Sequence, residues 1–258
     1  WLRERLTDEK NLDKNNLQRL YEPSLLNSKT EIKDFFQDGQ FLRVTFNDGV
    51  IGEFKIKDLV FEINQHDIIP NKLAWTNNID QLPFHDFRKF NKSQDLTIKM
   101  LNDFHIFGFV IITNLSKDEG TVVSFAESLG PIRSTNFGKY FNVISKPNPN
   151  DLAYTSLGLS AHSDNPYRKP VPGIQLLHCI VNEATGGDST LVDGLAVSNY
   201  LEKNEKHYFD ILTSTEILFS FTDKDVILKN WGKLIELDGG NKFKQIRFSG
   251  RLDYVPLL

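Results

Sequence analysis

The chain has 258 residues, 40% hydrophobic and 25% charged, with a formal net charge of −4. That is enough to bury a sizeable core in one large domain, or in a main domain with a small companion. There is no basic stripe for nucleic acid, no Lys/Arg cluster for an anionic membrane surface and no apolar run of bilayer-crossing length, so neither partner is expected.

Residues 1–35 read as charged and irregular. A hairpin follows, with an alternating arm at 41–46, Asn47-Asp48-Gly49 as turn chemistry and a return arm at 50–56. "LPFHDFRKFNKS" (82–93) reads as a linker, so a boundary is placed near residue 90. A helix capped by Ser93 comes next, with Leu96, Ile98, Met100 and Leu101 among its apolar positions. "HIFGFVIITNL" (105–115) reads as a buried strand, and 116–129 as a second helix stopped by Gly130-Pro131. Short strands are expected around 139–145, 152–156, 174–182 and 189–193, then a helix at 194–213. Further strands are expected near 216–222, 233–237 and 243–249, the final pair turned by Asp238-Gly239-Gly240. Many short strands behind two helices suggest a mainly β fold with flanking helices, a sandwich or jelly roll.

The single cysteine, Cys179, excludes an intramolecular disulfide and any zinc site of paired cysteines. A reducing, cytoplasmic compartment fits. The chain begins at Trp1 rather than methionine, so any upstream targeting segment would not be visible.

His162 and Asp164 stand two apart. On an extended segment both side chains face one side and can meet one cation. Two histidines and one carboxylate on one face of Fe(II) leave positions open for a cosubstrate and O2. Spacing alone is weak evidence. Six histidines and an acidic fraction of 34 in 258 give about 0.8 chance occurrences of His-x-Asp/Glu, and a loop histidine beside a turn aspartate explains most of them.

The surrounding "AYTSLGLSAHSDNPYRKPVPGIQLLHCIVNEATGGDSTLVDGLAV" (153–197) resembles the gamma-butyrobetaine and trimethyllysine dioxygenases, taurine dioxygenase-like 2-oxoglutarate/Fe(II) oxygenases. The likeness extends to Phe107–Val110, "GPIRSTNFGKYF" (130–141), "IRFSGRLDYVPL" (246–257), and "WLRER" with the 41–56 hairpin. It implies a small N-terminal β-rich domain at 1–90 and a double-stranded β-helix (jelly-roll) oxygenase domain at 91–258. Fe(II), 2-oxoglutarate and O2 would be the cofactors, with no general acid or base. His162 and Asp164 match the first two iron ligands. The distal histidine and the 2-oxoglutarate arginine would lie beyond Leu258, so the chain is expected to be trimmed at both ends. His178 is then a structural histidine, and His207 lies on a solvated helix face.

The same resemblance aligns Leu177 and Ser189 with 2-oxoglutarate contacts, although a core leucine and a turn serine explain those residues equally well. It aligns Phe137, Phe141 and Tyr154 with an aromatic cage for a trimethylammonium group, and Asn165 with a further substrate contact. A quaternary ammonium has no N–H to donate, so recognition rests on cation–π attraction and shape. Relatives carry tyrosine and tryptophan at 137 and 141, and the butyrobetaine enzyme carries tyrosine at 165, which leaves the exact substrate open. The family's N-terminal domain often binds zinc through cysteines after its opening motif. "WLRERLTDEKNLDKNNLQRL" has none, so no zinc is expected, and the domain is stabilised by its own packing or by a subunit contact such as a homodimer.

The expected activity is hydroxylation of a C–H bond in a small quaternary-ammonium compound such as gamma-butyrobetaine. The alternatives are a taurine-like oxygenase acting on a sulfonate or phosphonate (a trimethylammonium phosphonate included), or a non-catalytic jelly-roll binding module.

Overall fold

The structure, a computed structural model, describes residues 1–64, 69–77, 79–90, 92–149, 151–183, 185–223 and 225–251. The "LDYVPL" end of the matched C-terminal stretch lies outside the described residues. The chain divides into two compact units, Trp1–Pro70 and Asn71–Leu258.

The first unit is built on a three-stranded antiparallel sheet, β1 (Ile32–Asp38), β2 (Phe41–Phe46) and β3 (Ile51–Lys55), followed by helix α1 (Ile56–Ile63). The β2–β3 hairpin is the one expected. Its arms pair from Phe41↔Lys55 to Thr45↔Ile51, and Gly49 turns the chain at φ +84°. Period-two alternation puts Val44 and Phe46 on the face that meets Leu6 and Phe54 in a small core. Gly52 is needed there, because a Cβ would lie 2.5 Å from a Leu6 methyl. "WLRER" folds as a single 3-10 turn, Leu2–Arg5. Arg5 lies over the Trp1 ring and pairs with Glu62, while Arg3 pairs with Asp48. Strand β1 departs from the expected irregular 1–35 segment. Every residue of it is exposed, so no alternation marks it in the sequence.

In the second unit, β4 (Phe84–Asp86) pairs in parallel with β5 (Ile111–Thr113). Helices α2 (Phe87–Phe90), α3 (Gln94–Phe107) and α4 (Thr121–Leu129) accompany that pair. The stretch read as a linker is thus structured, because residues 84–86 find β5 as a partner, and the compact units divide at Pro70 rather than near residue 90. Helix α3 starts where expected, the Ser93 hydroxyl accepting from Leu96 N. It runs on to Gly108, whose left-handed φ of +76° ends it. The expected 105–115 strand therefore opens as the last residues of α3, and only Ile111–Thr113 of it pairs as a strand, β5. Met100 and Phe125 form a core with Phe87, Val110 and Ile112.

Helices α5 (Gly194–Asn204) and α6 (Lys206–Ser214) replace the single expected helix. Asp193 caps α5, accepting from Leu195 N and Ala196 N, and its second oxygen also accepts from Trp75 N at 2.9 Å. Antiparallel β6 (Glu216–Asp223) and β7 (Val226–Lys233) follow, then β8 (Ile235–Leu237) and β9 (Phe243–Ile246). Residues two apart on β6, Phe219 and Phe221, pack with Tyr167. Phe219 is fully buried, a side chain whose removal from water is worth roughly 1.5–3 kcal/mol.

The strands expected at 139–145, 152–156, 174–182 and 189–193 do not form among the described residues. Leu152–Tyr154 is a 3-10 turn, and the others are irregular and largely exposed. Apolar β-branched residues favour an extended chain, but a strand also needs a neighbour to satisfy its ladder, and no ladder forms with these segments among the described residues. The described residues thus form four small sheets with several helices rather than a closed jelly roll. Among them no helix is long and apolar enough to cross a membrane.

Candidate metal half-site and aromatic cluster

Residues 160–168 form an irregular segment held against the end of β9. Ser163 N donates to Phe248 O at 2.6 Å, and Phe248 N donates back to the Ser163 hydroxyl at 2.8 Å. With Ser163 held to Phe248, its neighbours His162 and Asp164 are brought close to each other. His162 Nε2 stands 3.2 Å from Asp164 Oδ1.

Two ligands bound side by side at about 2.1 Å from one cation stand about 3 Å apart, so the half-site has the bite a metal requires. His162 Nδ1 lies 2.7 Å from Ser160 O. Donation to that carbonyl puts the proton on Nδ1 and leaves the Nε2 lone pair facing the Asp164 lone pair, an arrangement that a shared cation relieves. Asp164 Oδ2 accepts from Gln175 Nε2 at 2.6 Å, which orients the carboxylate. Arg251 Nη2 lies 3.3 Å from His162 Nε2, and its other terminal nitrogen is 3.7 Å from Asp151. Among the described residues, no three His, Cys, Asp or Glu side chains are grouped to hold a metal.

The next residue, Asn165, takes a left-handed φ of +51°, and its side-chain oxygen accepts from the Tyr167 hydroxyl. Tyr167 is 4% exposed and stacks on Phe221 at 5.0 Å. Burial pushes its hydroxyl up to about 12. Arg247, on the far side of Pro166, pairs with Glu236 at 2.7 Å and reaches the carbonyls of Trp231 and Pro166 at 3.4 Å. It crosses directly over Gly232, where a Cβ would lie 2.1 Å from Arg247 Nη1.

The three aromatic residues named from the sequence are brought together. Phe137 and Phe141 have ring centroids 5.4 Å apart, and Phe141 meets Tyr154 edge-on at 6.3 Å. Phe137 also touches Phe221, so this row continues through Phe221 to Tyr167 beside the half-site. Leu177 and Ser189 are not brought in. Leu177 is 71% exposed and Ser189 lies exposed on an irregular segment. His178 Nδ1 is buried and finds no hydrogen-bond partner among the described residues, so the structural histidine expected from "LLHC" is not a satisfied one there. His207 lies exposed on α6 beside Tyr208.

Sequence reasoning missed Ser163, Gln175, Arg247 and Gly232. Only Ser163, placed between the two ligand candidates, carried a signal that could have been followed.

Residues 77–249 match the family described as taurine catabolism dioxygenase TauD, TfdA family. Among individual proteins, the chain is 31% identical over 183 residues to a gamma-butyrobetaine dioxygenase of Pseudomonas sp. (strain AK-1), covering 71% of this chain and 48% of that protein. It is 32% identical over 232 residues to the Homo sapiens gamma-butyrobetaine dioxygenase, covering 84% and 59%. It is 25% identical over 229 residues to the mitochondrial trimethyllysine dioxygenase of Mus musculus, covering 86% and 54%. The chain spans about half the length of these curated relatives.

Proposed function

The chain belongs to the TauD/TfdA dioxygenase family, and from that membership we propose that it is part of a 2-oxoglutarate- and Fe(II)-dependent dioxygenase. Its substrate is a small quaternary-ammonium compound such as gamma-butyrobetaine, and a C–H bond of that compound is hydroxylated. The second unit carries the chemistry and, in the whole protein, is a jelly roll. The single observation that carries the reading is the 3.2 Å approach of His162 Nε2 to Asp164 Oδ1, with Nδ1 turned to a carbonyl.

In this reading His162 and Asp164 hold Fe(II) from one side. When bound, Fe(II) couples oxidative decarboxylation of 2-oxoglutarate to insertion of one O2 oxygen into the substrate C–H bond. The protein's part is positional. Ser160 O fixes the His162 tautomer, Gln175 orients Asp164, and Ser163 clamps the pair to Phe248. Phe137, Phe141 and Tyr154 receive the quaternary ammonium, and Asn165 contacts the substrate beside the carboxylate ligand. Leu177 and Ser189 lie on the segment that meets 2-oxoglutarate.

The test is succinate release by the whole protein with Fe(II) and 2-oxoglutarate, across a panel of quaternary amines, sulfonates and phosphonates. Substrate-dependent succinate with the amines supports the reading. Turnover confined to sulfonates or phosphonates overturns the substrate class, and no turnover with any compound supports a binding module.

A further inference from the structure

The aromatic row already holds a cation. Lys146 Nζ lies 3.6 Å from the centroid of the Tyr154 ring. At that distance the ammonium sits over the ring face, because in the ring plane it would collide with the ring's own hydrogens. The contact is anchored, since the main-chain N of Lys146 donates to the carbonyl of Tyr154 at 2.9 Å. Tyr154 is otherwise enclosed, with only 3% of its surface exposed and Phe141 against it edge-on. The face that a quaternary ammonium would use is therefore covered by the end of an exposed, four-carbon stem that can swing away into water.

We propose that Lys146 is a specificity-determining residue, a resident cation that an incoming quaternary ammonium must displace from Tyr154. This rests on the quaternary-ammonium reading above and adds a cost to it. Two cations cannot share one ring face, so every cationic ligand binds in exchange for the lysine ammonium. An uncharged ligand of the same shape competes only with the stem's volume. The exchange sets a floor on selectivity, because a cation that gains no more from the ring than an ammonium does cannot move the lysine. A trimethylammonium group, with its larger apolar contact and weaker hydration, can.

The experiment compares the full chain with Lys146→Met, which keeps the stem's length and removes the charge. The probes are choline and its uncharged carbon isostere, 3,3-dimethyl-1-butanol, titrated calorimetrically. Exposed cation–π contacts correspond to about a two- to five-fold change in affinity. The Met variant should bind choline more tightly by at least that factor, with the isostere little changed. In the wild-type chain the Lys146 ε-methylene proton signal should be shifted upfield by the Tyr154 ring current, and choline should return it toward its solvent position. Choline binding that is unchanged or weaker in Lys146→Met, or equal gains for both probes, overturns the resident-cation role while the quaternary-ammonium reading stands. If neither wild type nor variant binds choline at tens of millimolar, the quaternary-ammonium reading itself falls and takes Lys146's role with it.

Discussion

Ser163 and Phe248 exchange hydrogen bonds in both directions across 85 residues of sequence. The Ser163 amide donates to Phe248 O, and the Phe248 amide donates to the Ser163 hydroxyl. This clamp brings two neighbours in the chain, His162 and Asp164, close to each other. Ser163→Ala keeps the first bond and loses the second. Phe248 is half exposed, so water replaces part of the loss, and stability should fall by about 1 kcal/mol. Groups that orient metal ligands are worth roughly 10- to 100-fold in metal affinity, so Fe(II) binding should weaken by about ten-fold. Calorimetric titration of the whole protein checks this. Unchanged Fe(II) affinity would mean the clamp does not position the ligands. His162→Ala, by contrast, should abolish turnover altogether.

Arg247 and Gly232 should behave as one unit. Gly232→Ala drives a methyl into the guanidinium and must displace it from Glu236, Trp231 O and Pro166 O. Arg247→Met removes the same bonds without the clash. Breaking a fully buried ion pair costs roughly 3–5 kcal/mol, but Glu236 is partly exposed and keeps Gln245, so about 2 kcal/mol is expected. Urea unfolding of the two single variants and the double variant gives the coupling. Strictly additive losses would separate the residues.

Tyr167 gives a pH signature. Burial raises its hydroxyl from the ordinary value near 10 to about 12 in the fold. A group whose folded value is raised contributes stability that is complete below the unfolded value and lost as pH climbs through the folded one. Stability should therefore fall between about pH 10 and pH 12, and tyrosinate absorbance should show Tyr167 ionising late, together with Tyr154, whose hydroxyl burial also raises. Tyr167→Phe should remove one tyrosine's share of the late absorbance change. If the late absorbance change is undiminished, the assignment is wrong.

Phe141 should read charge as well as shape. Cation–π contacts contribute roughly 0.5–2 kcal/mol each, so Phe141→Leu should weaken a trimethylammonium substrate by about two- to thirty-fold. The loss for its tert-butyl counterpart should be smaller. Misplaced substrate should also uncouple the reaction, with 2-oxoglutarate consumed faster than product forms. Equal losses for both substrates would transfer the assignment to the sulfonate or phosphonate class.

What could be read from the sequence was local in origin. Asn47-Asp48-Gly49 between alternating arms specifies its hairpin by itself, and Ser93 marks the start of helix α3 through its own capping preference. Strand β1 could not be read, because an edge strand exposed on both faces carries no alternation. The apolar runs at 174–182 and 189–193 mislead for the opposite reason, since strand identity depends on a partner that local composition does not encode. His162 and Asp164 were legible as a pair through the surrounding resemblance rather than through their spacing. The residues that hold them in place, Ser163 with Phe248 and Arg247 with Pro166, join parts of the chain more than eighty residues apart, and neither end announces the other.

That separation orders events during synthesis. The segment bearing both ligand candidates emerges from the ribosome well before Phe248 exists to receive it. Closing a loop of this length is slow compared with forming the hairpin or helix α3. The nascent chain therefore carries a histidine and an aspartate not yet held in register, and a metal met at that stage finds no fixed pair of donors. On the proposed reading, iron would load late, on chains in which Ser163 has already met Phe248.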